Sequence, residues 1–382
     1  MTTWKPAELW CCTAVIRKSI DFILTSHPET EESDSLFQPM IKLATGTVFW
    51  FYLANALFSE PISPYRSAYF QPQKEEEYAQ AWNVFFYNET VTAQITFVIG
   101  NLGPGSLNNG YVIFVRGNNQ NVTFIKESSS RGLKTEEGKL HYTFNTVNSI
   151  KENSNRSISA AAKSDTSFFQ IEIHPDSLTR SIKLKSDFDE KFEFNEQLLT
   201  LTNQAKFTIK HNNKITSFSG WGGAEYIHFN KFPDHFAESI IFAKSIHGRS
   251  SLVVMGFRGN DQYRKKQKLT YIYSVNNSIV STGNLINMKW ENGENNTGIV
   301  PEKIIFSIED RPACQLTLAN KQPSGKLEIL HNISPFLRWI VSFFFIDSKI
   351  RYYITNLTFK CDGIFYSNTG RSKYILLKDA FQ

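Results

Sequence analysis

The stretch "GWGGAEYIHFNKFPDHFAES", residues 220–239, gathers Trp221, Glu225, His228, Asp234, His235 and Glu238 into twenty positions. Carboxylates and imidazoles beside an aromatic ring are the parts of a general acid/base site, provided an apolar cavity shifts their protonation. Asp234 and His235 are adjacent and form the candidate acid/base pair. The other reading is a connector between domains whose polar side chains face water. Trp82, Trp221 and His228 are the candidates for lining a binding site, since aromatic side chains in a barrel mouth suit flat or long apolar ligands. Other chemistry is missing. There is no Gly-x-Ser-x-Gly elbow, His-Glu-x-x-His helix or calcium loop. The eight histidines are scattered without metal-ligand spacing, so neither a metal nor a cofactor is expected. Asn101-Leu-Gly-Pro-Gly105 reads as a tight turn rather than a phosphate cradle, because it ends a strand without opening a helix.

Elements of period two must position these residues. Ile95, Phe97 and Ile99 alternate with polar neighbours, as do Phe169, Ile171 and Ile173, then Ala205, Phe207 and Ile209, then Ile304, Phe306 and Ile308. Roughly eighteen such runs are separated by Asn, Gly, Ser and Asp clusters, which indicates an all-β sandwich or barrel. The most apolar run, Phe336 to Ile346, is too short to cross a bilayer as a helix and reads as a buried strand or short core helix. One core has difficulty absorbing so many strands, so two units are expected. Gly220-Trp221-Gly222-Gly223 is the best punctuation between them, giving a first β-domain over 79–222 and a second over 223–382. A faint echo supports duplication: Trp82-Asn-Val-Phe-Phe-Tyr-Asn-Glu precedes a strand at Thr92–Ile99, and Glu238-Ser-Ile-Ile-Phe-Ala-Lys-Ser precedes one at Leu252–Phe257.

A duplicated β-unit of this length opened by a "W-x-x-F-F-Y" strand resembles the tandem lipocalin-like proteins. These include carotenoid hydratases (hydroxyneurosporene synthase-like proteins), fungal Diels–Alderases and yeast survival-factor proteins. The resemblance covers residues 79 to 382 and implies two consecutive antiparallel lipocalin-like barrels or sandwiches. In the hydratase branch a central Asp-His pair precedes Trp-Gly. Asp234-His235 matches the dipeptide, whereas Phe236-Ala237 stands in place of Trp-Gly.

The amino-terminal part has its own character. Met40-Ile41-Lys42, then the uncharged run Leu43–Leu53, then Ala54-Asn55-Ala56 follow the three-part layout of a secretory signal peptide. On this reading residues 1–39 are an upstream extension or a misassigned start, 40–56 the signal-like segment and 57–78 a linker. A signal anchor over residues 41–58 or a soluble helix are the alternatives. Composition changes at the same place: of 30 Asn, none precedes Asn55. In an oxidising compartment Cys314 and Cys361 are the only cysteines beyond that point, and both lie on alternating strands whose phase turns them inward. Their pairing is expected, with two free buried thiols as the alternative. Asn88, Asn121, Asn155, Asn276, Asn295, Asn332 and Asn356 begin Asn-x-Ser/Thr triplets. About five such triplets arise by chance at this composition, so they do not establish secretion, but a secreted chain would carry glycan on several.

Charge excludes little. Lys and Arg number 41 against 36 Asp and Glu. The densest run, Arg264-Lys265-Lys266-Gln267-Lys268, suits a solvated hairpin tip or contact with an anionic surface. No zinc-knuckle spacing, RNA-binding aromatic motif or helix-turn-helix accompanies it, so nucleic acid is not an expected partner. The expectation is a secreted lipocalin-like protein that binds an apolar small molecule, a lipid or isoprenoid, in a barrel or between barrels. The alternatives are an extracellular structural or adhesion module, and an isoprenoid hydratase, isomerase or cyclase using Asp234 and His235.

Overall fold

The computed structural model describes residues 65–70, 78–100, 109–116, 122–125, 133–136, 138–144, 147–164, 166–176, 182–189, 192–231, 233–291, 300–328 and 349–377. The signal-like segment 40–56, the apolar run 336–346 and the sequons at Asn121, Asn295 and Asn332 lie outside these residues.

Among the described residues twelve strands make the first unit. They are β1 (Ala79–Tyr87), β2 (Thr92–Gly100), β3 (Asn109–Arg116), β4 (Val122–Ile125), β5 (Leu133–Thr135), β6 (His141–Phe144), β7 (Asn148–Glu152), β8 (Ile158–Lys163), β9 (Ser167–His174), β10 (Ile182–Asp189), β11 (Phe192–His211) and β12 (Lys214–Phe229). Their order in one antiparallel sheet is β4-β3-β2-β1-β12-β11-β9-β8-β7-β6-β5, with β10 also paired to β11. A one-turn helix, α1 (Pro233–Phe236), leads into eight more strands. These are β13 (Ala237–His247), β14 (Ser250–Gly259), β15 (Gln267–Val275), β16 (Ser278–Glu291), β17 (Lys303–Ile308), β18 (Arg311–Glu328), β19 (Lys349–Cys361) and β20 (Ile364–Leu376). They form a barrel closed by β20 returning to β13, Ser239 opposite Leu376 through Lys244 opposite Arg371. The all-β, two-unit expectation matches this architecture.

Local chemistry explains the hairpins. The two-residue connections Asn212-Asn213, Asn276-Asn277 and Asp362-Gly363 all have positive φ at both positions. Such turns carry the twist of the flanking strands, and Asn, Asp and Gly adopt that backbone most cheaply. The period-two runs sit in phase with burial: Ile95, Phe97, Ile99, Ile171, Ile173, Phe207, Ile304 and Phe306 are fully enclosed. Each such side chain contributes about 2–3 kcal/mol by leaving water.

The first sheet curls over its own core. Phe97 on β2 stacks with Phe144 on β6 at 5.8 Å, and Phe114 on β3 stacks with Phe169 on β9 at 3.9 Å. Strands far apart in the ladder thus meet across the interior. The division between the units differs from the expected one. Gly220–Gly223 is not a turn but part of β12, which runs on to Phe229, and the second unit's first strand begins at Ala237. Those glycines are there for space: a Cβ at Gly222 would lie 2.4 Å from the Phe85 carbonyl oxygen, and one at Gly220 2.4 Å from that of Tyr87. The echo in sequence falls on β1–β2 and β13–β14, the hairpins that open each unit.

Candidate functional site

Alternation on β1 turns Gln80, Trp82, Val84 and Phe86 to the interior of the first unit, and on β12 it does the same for Ala224, Tyr226 and His228. The register sets Trp82 opposite Tyr226 and Gln80 opposite His228. Tyr142 arrives from β6, so that the Trp82 ring lies 4.6 Å from Tyr142 and 5.3 Å from Tyr226. Segment Tyr65–Phe70, with a 3-10 turn at Arg66–Ala68, covers this end. The Trp82 indole donates to the Ala68 carbonyl at 2.8 Å, and the Phe70 amide donates to the Tyr142 hydroxyl at 2.5 Å. The Tyr226 hydroxyl donates to Gln80 Oε1 at 3.1 Å. The result is a polar, aromatic floor with Gln80 and Trp82 fully enclosed and His228 buried.

Burial pushes the Tyr65, Tyr142 and Tyr226 phenols well above their ordinary range, with Glu152 adding to the effect at Tyr65 and neighbouring tyrosines at Tyr226. They therefore stay protonated, and the Tyr226 proton is donated to Gln80 Oε1. The opposite end of the same interior is apolar. Phe207 lies 5.7 Å from Phe86, 6.1 Å from Phe114 and 6.0 Å from Phe218, whose ring is only partly buried.

Of the binding residues read from the sequence, Trp82 and His228 come together here. Trp221 does not join them: it sits opposite Tyr87 at the other end of the β1–β12 pairing, on the alternate face. Sequence reading missed Gln80, Tyr142 and Tyr226. Two of them share the strand phase of Trp82 and His228, which was the available signal; Tyr142 is joined only by the curling of the sheet.

The other polar residues of 220–239 are placed separately. Glu225 faces outward from β12 and is 2% exposed, and its carboxylate pairs with Lys244 on β13. Asn83 Nδ2 donates to Glu225 Oε1 at 2.6 Å, while Asn83 Oδ1 accepts from Thr96 at 2.6 Å and Gln94 at 3.2 Å. The Lys244 ammonium also stands 4.3 Å from the Phe85 ring centre. This buried pair lies where the two units meet, beside an apolar cluster that joins Ala81, Leu198 and Ile227 to Ile240, Phe242, Val253 and Met255. Thus Glu225 and its strand are not a water-facing connector.

Glu238 is occupied by Arg258 at 2.8 Å and Lys265 at 2.7 Å. That contact holds the Lys265 ammonium above its usual range, with Asp261 assisting. Arg264, Lys266 and Lys268 are exposed around the β14–β15 turn. His235 lies exposed on α1, and the side chain of Asp234 lies outside the described residues.

Cys314 and Cys361 form a disulfide across β18 and β19 with Cα atoms 4.4 Å apart. Among the described residues, one group of His, Cys, Asp or Glu has metal-ligand separations: these two cysteines with Asp362. Its sulfurs are spent in the disulfide. No described helix is long and apolar enough to cross a membrane.

No family model matches the chain, and no curated protein matches it. Solved structures do. An AttH-like protein of Nitrosomonas europaea matches with a TM-score of 0.52 at 10% identity, over 79% of this chain and 93% of that one. Kievitone hydratase from Nectria haematococca matches with a TM-score of 0.51 at 10% identity, over 84% of this chain and 95% of that one. The likeness is one of fold, and it agrees with the tandem lipocalin-like architecture.

Proposed function

We propose that this protein is a secreted lipocalin-like binder that holds an apolar small molecule, a lipid or isoprenoid, in the interior of the first unit. The observation that supports it is a pair of ring clusters in one interior, Trp82 with Tyr142 and Tyr226 at the floor and Phe86, Phe114 and Phe218 around Phe207 at the other end. The disulfide fits an oxidising compartment. Exposed Arg264, Lys266 and Lys268 would add weak contact with an anionic surface.

The test is extraction of the protein from a eukaryotic secretory host, with mass spectrometry of the organic phase. A stoichiometric apolar compound is expected. Titration with cis-parinaric acid, a fluorescent polyene, should saturate, and Phe207→Ala should weaken it at least about tenfold (1.4 kcal/mol). An empty extract and no saturable binding would favour a structural or adhesion module.

A second reading takes the chain as an isoprenoid hydratase, isomerase or cyclase with Asp234 and His235 as acid/base pair. The fold shared with kievitone hydratase is what favours it. Loss of turnover in both Asp234→Asn and His235→Ala, with ligand retention intact, would support that reading.

A further inference from the structure

We infer that Asn155 is an occupied N-glycan site, the best placed of the sequons in the described residues. The inference rests on the secretory reading. Transfer of a glycan forms a bond between Asn155 Nδ2 and the anomeric carbon of an oligosaccharide. It breaks that carbon's bond to a lipid pyrophosphate carrier, which leaves, and the amide gives up one proton. The acceptor must offer Nδ2 to solvent in a form the folded chain can tolerate once a bulky sugar is attached.

Asn155 meets this condition at the tip of the β7–β8 hairpin, where residues 154–156 are all exposed. Its Oδ1 accepts from the Ser157 amide at 3.0 Å and the Ser157 hydroxyl at 2.7 Å. Ser157 is the third residue of the same Asn-Arg-Ser triplet. The side chain is therefore held through its oxygen, by its own sequon, and Nδ2 is turned outward. Substituting a sugar on that nitrogen breaks no hydrogen bond of the fold.

The other described sequons lack this combination. Asn88 uses its nitrogen, donating to the Ser219 carbonyl at 3.3 Å. Asn356 is half-buried within β19, between β18 and β20, with Oδ1 bound by Thr369 at 2.9 Å. Asn276 is exposed, but its neighbour Asn277 is held by Asp176 at 2.9 Å and by the Thr202 amide at 3.1 Å. That hairpin tip lies against the first unit, which leaves a glycan less room.

The experiment expresses the full chain in a eukaryotic secretory host and treats the product with peptide N-glycosidase in heavy-oxygen water. Labelled aspartate at position 155 is expected. Asn155→Gln and Ser157→Ala should each abolish that label and remove the same single glycan step in gel mobility. A secreted chain with unlabelled Asn155 would overturn this assignment while leaving secretion intact. A cytosolic chain retaining Met1 would overturn the secretory reading and this assignment with it.

Discussion

The second unit closes its ladder with backbone hydrogen bonds, β20 returning to β13, whereas among the described residues the first has β4 and β5 as the two ends of its path. Their interiors differ in the same sense. The barrel encloses a larger share of aliphatic side chains, among them Ile241, Leu252, Val254, Leu316, Leu318 and Leu357, although Tyr271 on β15 and Phe359 on β19 also meet across it at 5.1 Å. The first unit is held across its interior by rings, Phe97 on Phe144 and Phe114 on Phe169. A hydrogen-bonded ladder is directional and fixes its circumference. Ring contacts are individually small, about 0.5–1.5 kcal/mol beyond area burial, and can be exchanged for contacts with another flat or apolar molecule. For the binding function proposed above, this contrast favours the first unit over the closed barrel as host.

The largest effect is expected where the units meet. Lys244→Met leaves the Glu225 carboxylate buried beside Asn83 without its cation. Breaking a buried pair on one side costs about 3–5 kcal/mol. The double variant Glu225→Leu with Lys244→Met should recover most of that loss, because no charge is left stranded. Urea unfolding of the single and double variants measures both. Equal destabilisation in the two would show that shape at the joint, rather than the stranded charge, governs the coupling of the units.

Reducing the disulfide comes next. It closes a span of 47 residues within the second unit, and loop entropy puts its contribution at about 4 kcal/mol. Hydrogen exchange should show the loss first in β18 and β19, with β1 and β12 protected as before. Loss of protection in the first unit of equal size would mean that the two units unfold as one.

Much of this contrast can be read from residue order, and some cannot. The phase of Cys314, Leu316 and Leu318 against Leu357, Phe359 and Cys361 turned both sulfurs to one core, and the strands prove to be neighbours. Trp82 announces the first strand of the first unit, and Glu238 marks that of the second. The glycines at 220–223 misled because Gly is both a turn residue and a residue that allows close approach of strands; here the second role applies. Lys244 could not be matched to Glu225 by sequence, since an outward position on one strand looks solvated until another sheet covers it. The floor was half visible. Period two aligns Tyr226 with His228, but only the curling sheet brings Tyr142 to Trp82.

Tyr226→Phe probes the floor with a smaller effect. It leaves Gln80 Oε1 without the donated hydrogen bond, a loss of about 1–3 kcal/mol for a buried acceptor. Ligand affinity should fall along with stability if an acceptor oxygen of the ligand shares that hydroxyl. A stability change with unaltered cis-parinaric acid affinity would place the ligand toward Phe207 and Phe218 instead.

The smallest effect concerns alkaline pH and the closed barrel. Burial pushes the Tyr374 phenol up to about 12, while hydrogen bonds with Ser372 and Asn320 pull the other way. Its side chain is fully enclosed and donates to Asn320 Oδ1 at 3.0 Å. In the unfolded chain the phenol ionises near pH 10. Below that pH both states keep the proton and the group adds no pH dependence. As pH rises from about 10 towards 12, the unfolded chain loses the proton and the folded one holds it, so stability falls. At pH 10.5 the loss from this one group is about 1 kcal/mol, given the usual 1.4 kcal/mol for each unit of separation. Tyr374→Phe should flatten the decline between pH 10 and 12, although it lowers stability at neutral pH by removing the bond to Asn320. Unfolding curves at pH 8 and about 10.5 decide it. If wild type and Tyr374→Phe decline in parallel, the barrel is opening to hydroxide before this phenol titrates, and its closed ladder gives less shelter than the hydrogen-bond pattern indicates.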